Sequence, residues 1–225
     1  HLVYIAQALL PYAKANWRTL ACVLGAIFAM AVSMTAGLIW FPLALPRAFG
    51  IDPATVGVGL GTAIAVATLI GVFLPPIALK LRIAALGQEP IRLARVFFWL
   101  APLPAIFLPF VTSPFQAYAI AAFQGAMGVA GSALMPGILQ DLAPAHLRPR
   151  VLALLGITNA LALALSPIAI GAISGLIAGP RGMLLAITIV SLPFLVAAAV
   201  LISLAPRHYE ATVRAVRSRR RGDRA

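Results

Sequence analysis

Five uncharged stretches divide the chain, and each is longer than the ~20 apolar residues that an α-helix needs to cross a bilayer. They cover residues 19–46, 53–79, 96–140, 151–180 and 182–206. The stretch at 96–140 has room for two crossings, because Thr112, Ser113 and Pro114 form a break within it. The pattern therefore predicts an all-α membrane protein with six transmembrane helices.

The predicted helices lie between a short leading segment and a basic tail. They span residues 17–45, 53–79, 93–111, 114–140, 150–178 and 182–205. Residues 1–16 form a short amphipathic pattern that suits a cytoplasmic interfacial segment or a linker. We therefore divide the chain into this segment, a bundle at 17–205 and a tail at 206–225. Because the chain begins at His1 rather than Met, we expect it to be a piece of a longer protein.

Composition and charge agree with this class and set an orientation. Hydrophobic residues make up 62% of the chain and charged residues 10%, whereas soluble domains carry roughly 25% charged residues. All but two of the 17 lysines and arginines fall on the side of the termini, and the exceptions are Arg47 and Arg181. By the positive-inside rule, both termini are cytoplasmic. Arginine far outnumbers lysine, which favours a high-GC bacterium and hence its inner membrane.

The net charge of +12 raises the question of nucleic-acid binding. Such binding needs a basic face on a folded soluble element, whereas here the charge lies at helix ends, so we expect no nucleic-acid partner. The arginine-rich tail suits the surface of an anionic bilayer, or a solvated end that only fixes topology. The lipid bilayer is the partner that the composition predicts.

The predicted helix interiors contain no Asp, Glu, Lys, Arg or His. This absence argues against a proton relay in this part of the protein and against an intramembrane protease, which needs a histidine or an acid pair at bilayer depth. Cys22 is the only cysteine, so neither a disulfide framework nor a metal cluster is expected. We predict no enzyme activity, no metal and no cofactor.

Neutral polar side chains recur at helical spacing on three of the predicted helices. The candidates for a substrate cavity are Ser33, Trp40, Gln124, Asn159 and Ser166. At about 100° per residue, Gln124 shares a stripe with Gly128 and Gly131, whereas Asn159 and Ser166 share another. Such stripes suit a neutral or amphiphilic solute. The alternative is interhelical hydrogen bonding, worth ~0.6 kcal/mol on average, with Trp40 in an aromatic belt.

Glycine and proline mark places where helices pack or bend. Gly57 and Gly61 form one GxxxG pair, and the residues Gly171, Gly175 and Gly179 form two more. These spacings predict tight helix packing, with helix sliding during a transport cycle as the alternative. Pro167 lies inside the fifth predicted helix, where a lost backbone donor favours a flex point.

Three motifs resemble the spinster-like branch of the major facilitator superfamily. They are WFPLALPRAFG around the first outer loop, GQEPIRLARV in the first cytoplasmic loop and LQDLAPAHLRPRVLAL in the second. The positions that carry the resemblance are Trp40, Pro42, Arg47, Gly50, Gly87, Glu89, Arg92, Pro144, Arg148, 151–154, Pro167 and Gly171. The chain departs from the pattern at three positions. The branch has an acidic residue in place of Lys80 and in place of Gly175, and a glycine in place of Ser166.

The resemblance implies the C-terminal six-helix half of a twelve-helix secondary transporter. Such a half works by alternating access around a site at the bilayer midplane, together with an N-terminal half from the same gene or a separate chain. Its substrate is a small organic or amphiphilic molecule, with proton coupling left open. The alternative is a membrane scaffold or accessory subunit that keeps the fold without transporting.

The second cytoplasmic loop gathers Asp141, Arg148 and Arg150 between two apolar runs. In one interpretation the arginines only fix the topology. In the sharper hypothesis Asp141 pairs with Arg148 or Arg150 in one access state and is released in the other. Because an exposed ion pair is worth only ~0 to 1 kcal/mol, the pair biases the equilibrium without locking it.

Overall fold

A computed structural model describes residues 10–80, 90–177 and 179–205. Its α-helices are α1 (Trp17–Phe49), α2 (Pro53–Lys80), α3 (Pro90–Leu100), α4 (Pro102–Ala105), α5 (Pro114–Leu142), α6 (Arg148–Ser174) and α7 (Gly182–Leu204). These ranges contain no strand. Six segments are long and apolar enough to cross a membrane, so the predicted all-α fold with six spans is confirmed. The predicted tail, residues 1–9 and the motif positions Gly87 and Glu89 lie outside the described residues.

The helix ends follow from local side-chain chemistry. Gly50 takes the left-handed conformation with φ +65° and donates its N–H to Pro46 O at 2.8 Å, which ends α1. The Asp52 carboxylate accepts the backbone N–H groups of residues 54 and 55 at 3.0 and 3.3 Å, ahead of Pro53. Ser113 caps α5 in the same manner. The short loop after α1 therefore holds α1 and α2 antiparallel.

The third span was predicted as one helix at 93–111, and this prediction is wrong. The helix begins earlier, at Pro90, and stops at Leu100. The short α4 and a 3₁₀ turn at Leu108–Phe110 complete the span. Pro102, Pro104 and Pro109 each lack the N–H that a continuous helix needs, so the backbone is divided into short pieces.

The six spans pack as two groups of three helices. Each group has one central helix and two flanking helices. The most extensive contacts join α2 to α5 and α1 to α7, followed by α1 with α6 and α3 with α5. The first and fourth spans, α1 and α5, are therefore central, and each has two flanking helices. Because α1 and α5 touch each other much less than they touch their flanking helices, open space remains between them.

Tight glycine packing occurs at positions other than the predicted ones. A methyl group on Gly71 would lie 2.7 Å from Val129 Cβ, and one on Gly131 would lie 2.2 Å from the ring of Phe98. No described atom lies within 4 Å of the place where a side chain on Gly57 or Gly61 would begin. Gly57 and Gly61 are therefore not closely packed within the described chain, because the buried stripe of α2 runs through Gly71 instead.

Two helices remain largely uncovered. In the most apolar part of each span, only 28% of the α2 residues and 22% of the Ala145–Ser174 residues are buried, against 50% for α7. Both of these helices flank the central pair, one beside α5 and one beside α1. Within the described bundle, these two flanking helices therefore have the least cover from protein neighbours.

Candidate functional site

A cavity of about 420 Å³ lies between α1, α2 and α5. We call it the α1–α2–α5 cavity. Its described lining carries hydroxyl and amide groups from Ser33, Thr35, Thr68 and Gln124, among apolar and glycine residues. None of these lining residues is ionisable. The volume falls within the range of roughly 300–1,000 Å³ that is typical of small-molecule sites.

Two of the predicted candidates meet in this cavity. Gln124 of α5 donates from Nε2 to Ser33 Oγ of α1 at 3.2 Å, and Ser33 is fully buried. The bond links the two central helices where their mutual contact is otherwise thin. The remaining amide N–H and the Oε1 atom of Gln124 have no hydrogen-bond partner within the described ranges.

A second space of about 380 Å³, the α1–α5–α6 groove, lies on the other side of Met34. Met34 and Thr35 line both spaces, whereas Ser132 and Asn159 line only the groove. Asn159 is exposed, and its amide has no hydrogen-bond partner among the residues that the structure describes. The structure therefore separates the candidates Gln124 and Asn159 into different spaces.

The other two cavity candidates line neither space. The indole Nε1 of Trp40 and the Oγ of Ser166 are buried without a hydrogen-bond partner in the described chain. The Trp40 ring packs toward α6, 3.9 Å from the place where a Cβ on Gly171 would lie. Ser166 is fully buried whereas Asn159 is exposed, so the stripe predicted for them differs in burial along its length.

The loop candidates lie together at the end of α5 and the start of α6. Asp141 is exposed in the last turn of α5, and it forms no ion pair with Arg148 or Arg150 in this structure. The Nε atom of Arg148 is buried and without a described partner. Because the gating hypothesis requires the pair in only one access state, it stays a prediction. Pro167 lies inside α6, which continues across it.

Sequence reasoning missed a contact at the start of the bundle. The Tyr12 hydroxyl donates to the backbone carbonyl of Leu142 at 2.5 Å, and its ring packs on the core. Burial raises the pKa of Tyr12 to about 12, because the ionised form is poorly solvated there. Tyr12 therefore fastens the described residues before α1 to the end of α5, whereas the pattern of 1–16 predicted an interfacial segment or a linker without this contact.

The stripe of α2 that faces the cavity was also missed. Four residues of this stripe line the cavity at intervals of four, three and four residues, namely Gly57, Gly61, Ile64 and Thr68. This spacing places them on one helix face, and a small or polar residue at three of the four positions was the available signal. Among the described residues, no group of three His, Cys, Asp or Glu side chains lies close enough to hold a metal ion.

Comparison with known proteins adds one finding. The family model described as Major Facilitator Superfamily matches residues 13–223, which is nearly the whole chain. No curated protein matches the chain.

Proposed function

The chain belongs to the major facilitator superfamily, a family of multi-pass membrane transporters, and from this premise we propose that it is half of a secondary transporter. In this proposal it is the C-terminal six-helix half, related to the spinster-like branch, and it moves a small organic or amphiphilic solute by alternating access. The observation that carries the proposal is the α1–α2–α5 cavity, where the Gln124–Ser33 hydrogen bond supplies polar groups among apolar walls.

The uncovered faces of α2 and α6 support the proposal that a second half is required. These two helices have the smallest buried fractions, and the cavity is lined by α2 rather than by the better covered α3 or α7. We expect the N-terminal half, from the same gene or a separate chain, to pack on α2 and α6 and complete the cavity. On α2, the open positions at Gly57 and Gly61 leave room for a solute beside the partner.

The proposed orientation places the ends with more basic residues in the cytoplasm. The end of the bundle where α1 begins and α5 ends carries Lys14, Arg18, Lys80 and Arg148. The opposite end carries Arg47 and Arg181. This distribution supports cytoplasmic termini in a bacterial inner membrane. In the same proposal, Asp141 with Arg148 or Arg150 forms a cytoplasmic gate, and Pro167 is a flex point of α6.

Transport in proteoliposomes tests this proposal. The full-length gene product is reconstituted, and efflux of an octyl amide that carries an uncharged fluorophore is measured with and without a pH gradient. We expect efflux that Gly61→Val reduces, because the new side chain would occupy the cavity. Gly156→Val on α6 is the matched control, since Gly156 is equally open and lines neither described space. Absence of efflux from the intact protein for this and other small solutes would favour the scaffold alternative.

A further inference from the structure

The α1–α2–α5 cavity has hydrogen-bonding groups in its wall but no counter-charge. Apart from Ser33, Thr35, Thr68 and Gln124, its described lining consists of glycine, proline and apolar side chains. An ionised ligand that left water for this wall would lose its hydration without gaining a partner of opposite charge. The part of the wall that the described chain supplies therefore disfavours an ionised ligand of either sign.

The polar groups in the wall are unequal in what they offer to a ligand. Ser33 is fully buried and already accepts a hydrogen bond from Gln124. Gln124 is only half-buried, and it keeps one N–H donor and the Oε1 acceptor without a partner in the described chain. A ligand group that donates and accepts at once, such as a hydroxyl or a primary amide, satisfies both of these atoms.

The wall opposite Gln124 comes from α2 and accommodates an apolar body. Gly57 and Gly61 place backbone instead of side chains there, and no described atom lies within 4 Å of a Cβ built on either residue. Leu60, Ile64 and the Phe41 ring of α1 add apolar surface. The cavity thus has a polar point at Gln124 and an apolar wall along α2.

We propose that this cavity selects an uncharged amphiphile, whose single hydroxyl or amide head bonds to Gln124 and whose apolar body lies along the glycine stripe of α2. The inference rests on the proposed function only in that the ligand is then the transported solute. Binding itself requires the cavity and not a transport cycle. The described wall disfavours both signs of charge because it offers no counter-charge, and not because of a clash.

The test uses three amphiphiles with ten-carbon chains that carry different head groups. They are decanamide, decyl sulfate and decyltrimethylammonium, each used below its micelle concentration. The full-length protein carries Cys22→Ser, so that Thr68→Cys in the cavity wall is the reporter thiol in the described chain. The rate at which N-ethylmaleimide labels this thiol is measured with each compound present.

We expect decanamide to slow labelling several-fold at concentrations where either ion changes it less than about twofold, because burial without a counter-charge disfavours both ions. Gln124→Leu weakens decanamide protection by about tenfold, which is the effect of losing one or two hydrogen bonds. Gly156→Val leaves protection intact. If Thr68→Cys does not fold, Ala121→Cys on α5 is a second reporter in the same wall.

Equal protection by the three compounds would overturn the inference, since only the alkyl chain would then matter. Stronger protection by either ion would overturn it as well. Protection by decanamide that Gln124→Leu leaves unchanged would remove Gln124 from the site. Failure of the transport proposal can be told apart from failure of this inference, because protection is measured without any flux. Selective protection without efflux contradicts transport alone. Efflux without selective protection contradicts the charge selectivity alone.

Discussion

The α1–α2–α5 cavity and the α1–α5–α6 groove share two helices and two residues, yet they present their amides differently. Met34 and Thr35 of α1 line both spaces. In the cavity, the Gln124 amide is half-buried and held to Ser33. In the groove, the Asn159 amide is exposed and unpartnered within the described chain. Hydroxyl side chains line both spaces, so the difference is that Ser33 lies within hydrogen-bonding distance of the Gln124 amide, whereas Asn159 forms no such bond in the described chain.

A single glycine keeps the two spaces apart. Met34 reaches across to α5, where its Sδ lies 2.6 Å from the place that a Cβ on Gly128 would occupy. The missing side chain at Gly128 lets Met34 lie against α5 and form a wall between the cavity and the groove. Gly128 therefore acts through Met34. The position of Gly128 in the predicted polar stripe reflects helix packing as well as the shape of the cavity.

The largest effect is expected at Gly71, which seats α2 on α5. Gly71→Val would place new atoms against Val129 and the backbone carbonyl of Ala126, which cannot move away easily. Overpacking of this kind destabilises by ~1–3 kcal/mol. Thermal unfolding in detergent measures the loss, and labelling of a cysteine in the cavity should change while one in the groove does not. Gly61→Val, on the open face of α2, is the control and should unfold at the unchanged temperature.

The next effect distinguishes the two amides directly. Gln124→Leu should reduce the kcat/KM of transport by about tenfold, since the ligand loses its hydrogen bonds. Asn159→Leu should leave it nearly unchanged, because the Asn159 amide has no hydrogen-bond partner in the described chain and lines the α1–α5–α6 groove instead. Initial rates in proteoliposomes give both ratios. The reverse order would place the ligand in the α1–α5–α6 groove.

Tyr12 tests how firmly the end of α5 is held. Helix α5 borders both spaces. Tyr12→Phe removes the hydrogen bond to Leu142 and should lower the free energy of unfolding by ~0.5–1.5 kcal/mol. Tyr118→Phe is the control, because the buried Tyr118 hydroxyl has no described partner and its removal should cost nothing. Only Tyr12→Phe should lower the unfolding temperature.

Alkaline pH provides a second measurement on Tyr12. Burial raises its pKa from 10.0 to about 12, so the fold favours the neutral hydroxyl. The corresponding stabilisation is fully present below pH 10 and is lost as the pH rises toward 12. Unfolding temperatures across this range should fall more steeply for the native protein than for Tyr12→Phe; parallel curves would contradict the assignment.

The smallest effect is expected in the loop that follows α5. Asp141→Arg and Arg148→Asp should each slow transport, and the double exchange should restore it if the two side chains pair in one access state. The energy involved is ~0 to 1 kcal/mol, so rates and not stability are the measurement. Lys14→Asp, at the same end of the bundle, is a control for net charge. Without rescue, the arginines serve topology alone.

Sequence reasoning predicted well wherever a pattern acts along one helix. Apolar length predicted the six spans and a second helix that begins at residue 53, where α2 begins, because burial in lipid depends on the local run of apolar residues. The three prolines of the third span carried the signal for its break, yet length alone favoured one helix. Tyr12 was missed because its partner, Leu142, is distant in sequence and is a backbone carbonyl, which leaves no mark on residue type.

The sequence by itself determined the membrane class, the number of spans and the absence of charge from the predicted helix interiors, because each follows from hydrophobicity added along the chain. Only the tertiary structure decided which polar residues meet. It joined Ser33 to Gln124, placed Asn159 in a separate groove and left Gly57 and Gly61 open. Helical spacing fixes the face on which a side chain lies, whereas the packing of neighbouring helices determines what that face meets.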